Sequence, residues 1–314
     1  GGLPVGMFPT PPAVLGFESR RVEVAPGVEL HVVDRAGSDP ELAPVLFLHG
    51  WPDSWRSWQR VLPLLDGRRR LLALDLRGFG ESSKPEGAGS PYDVPMFARD
   101  VAAAMDALGV ARLHYLVGHS MGSVVAWYYA GSHPARVDHL MLIGSTPVQD
   151  TRISEVFTQV LQSVRGLDAV TYDFTRDFQY STFNDTSTAG QWYMQTVVYE
   201  SMRVPLGVWK AAISNLATTT GARRLLPQIA SKTVVVHGAG DTLMNEQNQL
   251  DLLRLLPAGT LYREIQHSGH SVQWEEHGAR AVASLLANRS LFAGQPAAVA
   301  AGNLAVDWTA AVLG

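Results

Sequence analysis

Short apolar runs separated by amphipathic stretches recur along the first half of the chain. Residues 44–48, 71–76, 113–117 and 139–143 are dominated by Val, Leu, Ile, Phe and Met, at the length of a buried strand. Between two of these runs, Phe97, Val101, Met105 and Leu108 recur at helical spacing. Asp93 stands where a cap would start that helix and Gly109 where it would stop. Residues 55–65 carry the same spacing and predict a further helix. Residues 20–24 and 28–34 alternate around Pro26-Gly27 and predict a hairpin. Strand and helix in alternation predict right-handed crossovers and a mostly parallel sheet with helices on both faces. Unbroken apolar strands agree, because parallel strands are covered on both sides.

The alternation stops after Pro147. Residues 148–231 are polar, helix-like and rich in aromatics: Tyr172, Phe174, Phe178, Tyr180, Phe183, Trp192, Tyr193, Tyr199 and Trp209. A segment of this length is no ordinary connection. It reads as a helical cap inserted after the sixth strand, most of its aromatics forming its own small core and a minority lining a site. The sheet pattern then resumes, with a strand at 233–236, a helix at 245–256, a strand at 261–265 and a helix at 278–287. The expected organisation is an eight-stranded α/β core from residues 1–147 and 232–314, with a cap over 148–231. Residues 1–16 read as a proline-punctuated arm. The alanine-rich tail, 291–314, fits packing on the body or an oligomer contact, and the sequence leaves both open.

Composition narrows the function. The 314 residues are 46% hydrophobic and 17% charged, with a net charge of −4. Such a chain buries a large core, and its charge gives no reason to expect a nucleic acid partner. Cysteine is absent, which excludes disulfides and thiolate nucleophiles. No apolar run approaches membrane-spanning length, and the first residues lack the pattern of a signal peptide. The sequence leaves the compartment open and favours the cytoplasm over export.

The chemistry gathers at Gly118-His119-Ser120-Met121-Gly122, a G-x-S-x-G turn between a buried strand and a helix. In that context the motif is a nucleophile elbow. The sharp reversal forces Ser120 into a strained backbone conformation, and side chains at either glycine would strike the neighbouring strand or helix. A serine hydroxyl needs a base, and the base needs a carboxylate to hold its tautomer. Asp241 and His270 each follow a late strand, and the order Ser120, Asp241, His270 is the one expected of this architecture. His267 is the rival base; the Gly269-His270 pair after the last strand favours His270. The backbone N–H groups of Trp51 and Met121 are the expected oxyanion donors. Asp75 also ends a strand, where its expected task is to anchor the loop at 77–80. No cofactor or metal is called for.

The motifs HGWPDS, DLRGFGESS, GHSMGS, GAGD and SGH, in that order, resemble the α/β-hydrolase superfamily over nearly the whole chain. The first two look like the branch containing epoxide hydrolases, haloalkane dehalogenases and serine esterases. Epoxide hydrolases and dehalogenases carry an aspartate at the elbow, where this chain has Ser120. The resemblance therefore implies a cap-bearing serine hydrolase of carboxylic esters or lactones; the aromatic cap suggests that the small-molecule substrate is moderately bulky and apolar or aromatic. C–C bond hydrolases, thioesterases and cofactor-free perhydrolases share the same triad, and some members of the fold are non-catalytic small-molecule receptors.

Overall fold

The computed structural model describes residues 11–86, 92–148, 154–184, 190–219 and 221–293. The expectations for the start of the arm and for the tail beyond residue 293 lie outside them.

Eight strands form one sheet: β1 (Glu18–Ala25), β2 (Val28–Arg35), β3 (Val45–Leu48), β4 (Leu71–Leu74), β5 (Leu113–His119), β6 (Val137–Ile143), β7 (Lys232–Gly238) and β8 (Leu261–Ile265). Their spatial order is β1-β2-β4-β3-β5-β6-β7-β8. The first two strands form the expected hairpin, with Gly27 at φ 70° in its turn. β2 pairs antiparallel with β4, and every later pairing is parallel. The chain leaves β3 toward β4 on one side and enters β5 on the other. Such a reversal opens a crevice beyond the carboxyl ends of the two central strands. The loops carrying His49-Gly50-Trp51 and Gly118-His119-Ser120 both end there.

Helices α1 (Val94–Ala107), α2 (Met121–Ser132), α7 (Glu246–Leu253) and α8 (Glu276–Ala287) complete the core. Asp93 caps α1 by accepting from the Met96 N–H at 2.8 Å, and Gly109 follows it at φ 68°. The inward residues of β3 and β5 are fully buried, split between a cluster on each face of the sheet.

One helix expected at the sequence level is different. Residues 55–65 fold as two 3₁₀ turns, Trp55–Trp58 and Leu62–Leu64, not as a continuous helix. Asp75 Oδ1 accepts the Trp55 N–H at 2.7 Å, and Pro63 in the second turn has no N–H to give. The spacing of the apolar residues reflects burial all the same, since Trp55 and Trp58 are both inside the core.

Among the described residues, four α-helices lie between β6 and β7, α3 (Glu155–Gly166), α4 (Tyr172–Ser181), α5 (Gln191–Met202) and α6 (Leu206–Thr218), followed by a 3₁₀ helix at Ala222–Gln228. No strand interrupts them among the described residues. The N-termini of α3 and α4 are built locally, with the Ser154 and Thr171 hydroxyls accepting from the Phe157 and Phe174 N–H groups. The aromatics of this segment divide differently from expectation. Tyr193 and Trp209 are fully buried, whereas Tyr172, Tyr180, Trp192 and Tyr199 are exposed. Two of these exposed rings lie under arginines, Tyr172 under Arg176 and Tyr199 under Arg203.

Candidate active site

The turn at the end of β5 carries the strain expected of it. Ser120 sits at φ 51°, ψ −123°, a region that residues other than glycine rarely adopt. Its N–H donates to the Ile143 carbonyl at 2.9 Å, tying the turn to β6. The glycines are there for space. A Cβ on Gly118 would lie 2.6 Å from the Ser123 Cα, and one on Gly122 would lie 2.6 Å from the Leu48 carbonyl oxygen. Helix α2 therefore packs directly against β3 and starts beneath the serine.

Asp241 and His270 arrive from two other strand ends. His270 Nδ1 lies 2.7 Å from Asp241 Oδ2. Asp241 Oδ1 accepts from the Leu243 and Met244 N–H groups, both at 2.9 Å. With its other oxygen held by the backbone, the carboxylate aims Oδ2 at the ring, and the proton on Nδ1 leaves Nε2 as the basic nitrogen. Among the described residues nothing hydrogen-bonds Nε2. Ser120 and His270 line one cavity. His267 is excluded from it: that residue turns outward at φ 59° and is exposed.

Buried polar groups other than Ser120, Asp241 and His270 set the loops. His119 donates from Nε2 to the His270 carbonyl at 3.0 Å, joining the elbow to the histidine loop. Burial, with the nearby His270, lowers its basicity well below that of an ordinary imidazole, so the ring stays neutral. His49 donates from Nδ1 to the Gly50 carbonyl and accepts the Leu76 N–H on Nε2. Glu275, fully buried, accepts the Gly269 N–H at 3.1 Å and the Asn184 N–H at 3.2 Å, so it pins the histidine loop to the segment after α4. Asp75 accepts from Trp55, Glu81 and His31 and anchors the loop after β4.

The backbone N–H groups of Trp51 and Met121 donate to no backbone carbonyl among the described residues. Met121 opens α2, where the helix dipole favours negative charge. The Trp51 side chain lines the cavity and locks the core to the helical segment. Its Nε1–H donates to the Trp209 carbonyl at 3.1 Å, and its ring meets Trp209 and Phe178 edge-on at 4.8 and 5.2 Å.

Phe178 is the one aromatic of the nine singled out in the sequence that lines the cavity; Phe157, Ile213 and Leu216 share that wall. The cavity leaves about 20 Å³ for the centre of a water molecule. That is room for about one water, so any larger ligand requires the wall to move.

One ionisable cavity residue was missed in the sequence. Asp53 follows Trp51-Pro52, is 3% exposed and lines the cavity. Burial raises its carboxyl to about 7, against partial offsets from the Gln179 amide and the Ser57 hydroxyl. The signal was present, an acid within the HGWPDS loop, but nothing in the pattern said that its side chain turns inward.

The comparisons with known proteins converge on this architecture. The family model described as alpha/beta hydrolase fold matches residues 43–277. An epoxide hydrolase 2 from Siraitia grosvenorii is 32% identical over 164 residues, 52% of this chain and 47% of that protein. The match thus spans less than half of that relative, and 31% of an epoxide hydrolase B from Mycobacterium tuberculosis. A 2-hydroxymuconate semialdehyde hydrolase from Pseudomonas sp. (strain CF600) is 29% identical over 278 residues, 84% of this chain and 91% of that protein. Among solved structures, a membrane phospholipase A described as a bacterial virulence factor superposes with a TM-score of 0.73 at 26% identity. That superposition covers 90% of this chain and 93% of the other.

Proposed function

We propose, for a chain that belongs to the alpha/beta hydrolase fold family, that it is a serine hydrolase of neutral carboxylic esters or lactones. The observation that carries this reading is the strained Ser120, opening on the same cavity as an imidazole whose far side is held by Asp241 at 2.7 Å.

In this mechanism the Ser120 Oγ attacks the acyl carbon and its proton passes to His270 Nε2. The carbonyl electron pair moves onto oxygen, where the Trp51 and Met121 N–H groups receive it. Each such donor is worth about 2.7–4 kcal/mol of transition-state stabilisation. The C–O bond to the leaving alkoxide breaks, and the alkoxide takes the proton from His270. A water then gives its proton to His270 and its oxygen to the acyl carbon, and the carboxylic acid departs as Ser120 is reprotonated. Asp241 keeps the imidazole in the tautomer with a free Nε2 and stabilises the imidazolium. Helices α3 to α6 act as the lid, and admission of an ester displaces the wall formed by Phe178 and its neighbours.

Epoxide opening fits less well, because the elbow carries an alcohol in place of the carboxylate expected of that branch. Hydrolysis of a carbon–carbon bond by the same triad is the second reading, and the extent of the match to the semialdehyde hydrolase favours it over the others. A panel of aryl esters, lactones and diketones, run on the parent protein and on Ser120→Ala, tests both. The expected result is turnover of esters or lactones that falls by at least about 10⁴-fold in the variant. Turnover of diketones alone would replace the first reading with the second, and an active variant would remove both.

A further inference from the structure

The hydrogen bonds around Asp53 distinguish its two oxygens, one of which already accepts an amide N–H. Ser201 donates from Oγ to the Val197 carbonyl at 2.7 Å, so that oxygen is left to accept. It accepts from Gln179 Nε2 at 2.6 Å, which orients the amide. The second proton of that nitrogen goes to Asp53 Oδ1 at 2.9 Å. Oδ1 is therefore an acceptor, which favours Oδ2 as the oxygen that carries the proton of the neutral acid. The carboxyl lines the cavity that also holds Ser120 and His270. The described lining includes no arginine or lysine, and most of it is apolar.

We propose that Asp53 is the specificity-determining group of this cavity, a neutral acid that donates a hydrogen bond from Oδ2 to a second oxygen of an uncharged ester or lactone, beyond the carbonyl that Ser120 attacks. The assignment rests on the serine-hydrolase reading for the identity of the scissile bond, but the hydrogen bond itself is a property of binding.

A buried carboxylate facing an apolar ligand repels acceptors, so the device works only while the acid keeps its proton. Its carboxyl titrates at about 7, raised chiefly by burial. The other groups that face it do not share this titration or are already paired. His119 is held neutral by burial, and burial holds the Tyr193 phenol neutral far above that range. Arg56, on the turn behind Asp53, lies 3.5 Å from Glu200. His270 shares the cavity, and an Asp53 variant, which leaves that imidazole in place, serves as the control for it.

The test measures binding, in the Ser120→Ala background, of two uncharged probes by calorimetry. One is methyl 4-oxo-4-phenylbutanoate, and the other is methyl 4-phenylbutanoate, which lacks the ketone oxygen. At about pH 6 the keto ester should bind about five- to tenfold more tightly than its analogue, the value of one hydrogen bond in a buried site. At about pH 8, where about nine-tenths of a group with this pKa is ionised, the preference should shrink toward unity. Asp53→Asn, which places an N–H₂ donor where Oδ2 was, should keep the preference at both pH values. Asp53→Ala should lose it at both. The proposal is overturned if Asp53→Ala retains the preference, if Asp53→Asn reproduces the pH dependence of the parent, or if neither probe binds. Failure of the serine-hydrolase reading has a separate signature: the Ser120 protein hydrolyses neither ester, while the binding preference persists.

Discussion

On the sheet side, the residues of the cavity wall are carried on tight turns after strands; on the helical side, they stand on helices. The elbow, the Gly50-Trp51 loop and the histidine loop are tied by main-chain hydrogen bonds, and glycines let them approach within van der Waals limits. Across the cavity, α3, α4 and α6 present Phe157, Phe178, Ile213 and Leu216. A catalytic geometry needs the first kind of wall, because small errors in position cost rate steeply. Substrate choice needs the second, because apolar side chains exchange at modest cost. The difference predicts that equal-sized substitutions on the two sides will act unequally.

The largest effect is expected at Gly122. An added methyl group would press on the Leu48 carbonyl, and backbone there has no free direction to move. Gly122→Ala should lower stability by on the order of 3 kcal/mol or more, measured by denaturant unfolding. It should also cut kcat in whatever fraction remains folded. A variant as stable and active as the parent would show that the helix-to-strand contact is not needed to present the serine.

A smaller effect is expected at Phe178. Its ring packs on Trp51 and Trp209 and borders space already open. Phe178→Ala should cost about 3 kcal/mol, the low end for a buried aromatic. Steady-state kinetics on an aryl ester should show KM raised several-fold with kcat nearly kept, the pattern of lost uniform binding. A collapse of kcat at unchanged KM would mean that the helical wall positions the reacting groups, and the contrast between the two sides would fail.

The same contrast explains what could be read from the chain before its structure. Strand positions, the elbow and the pairing of Asp241 with His270 follow from local rules: apolar runs of strand length, glycine where backbone must touch backbone, and loops that end parallel strands. The helical wall obeys no such rule. Nothing local distinguishes Phe178, which reaches the cavity, from Tyr180, two residues on and exposed. Both are helical aromatics, and only the placement of α4 against Trp51 decides between them. Residues 55–65 fail for a related reason, since the apolar spacing was right but Asp75, far along the chain, captures the Trp55 N–H. Asp53 and Glu275 were invisible because a carboxyl in a loop reads as solvated until the partners that bury it are in view.

The most direct test of the central claim is to quench the reaction with an activated aryl ester in acid and map the acyl group by peptide mass spectrometry. The account predicts a single acyl adduct on Ser120 that disappears on further incubation with water and is absent from Ser120→Ala. An adduct on another residue, or sustained ester turnover with no covalent species at Ser120, would contradict it.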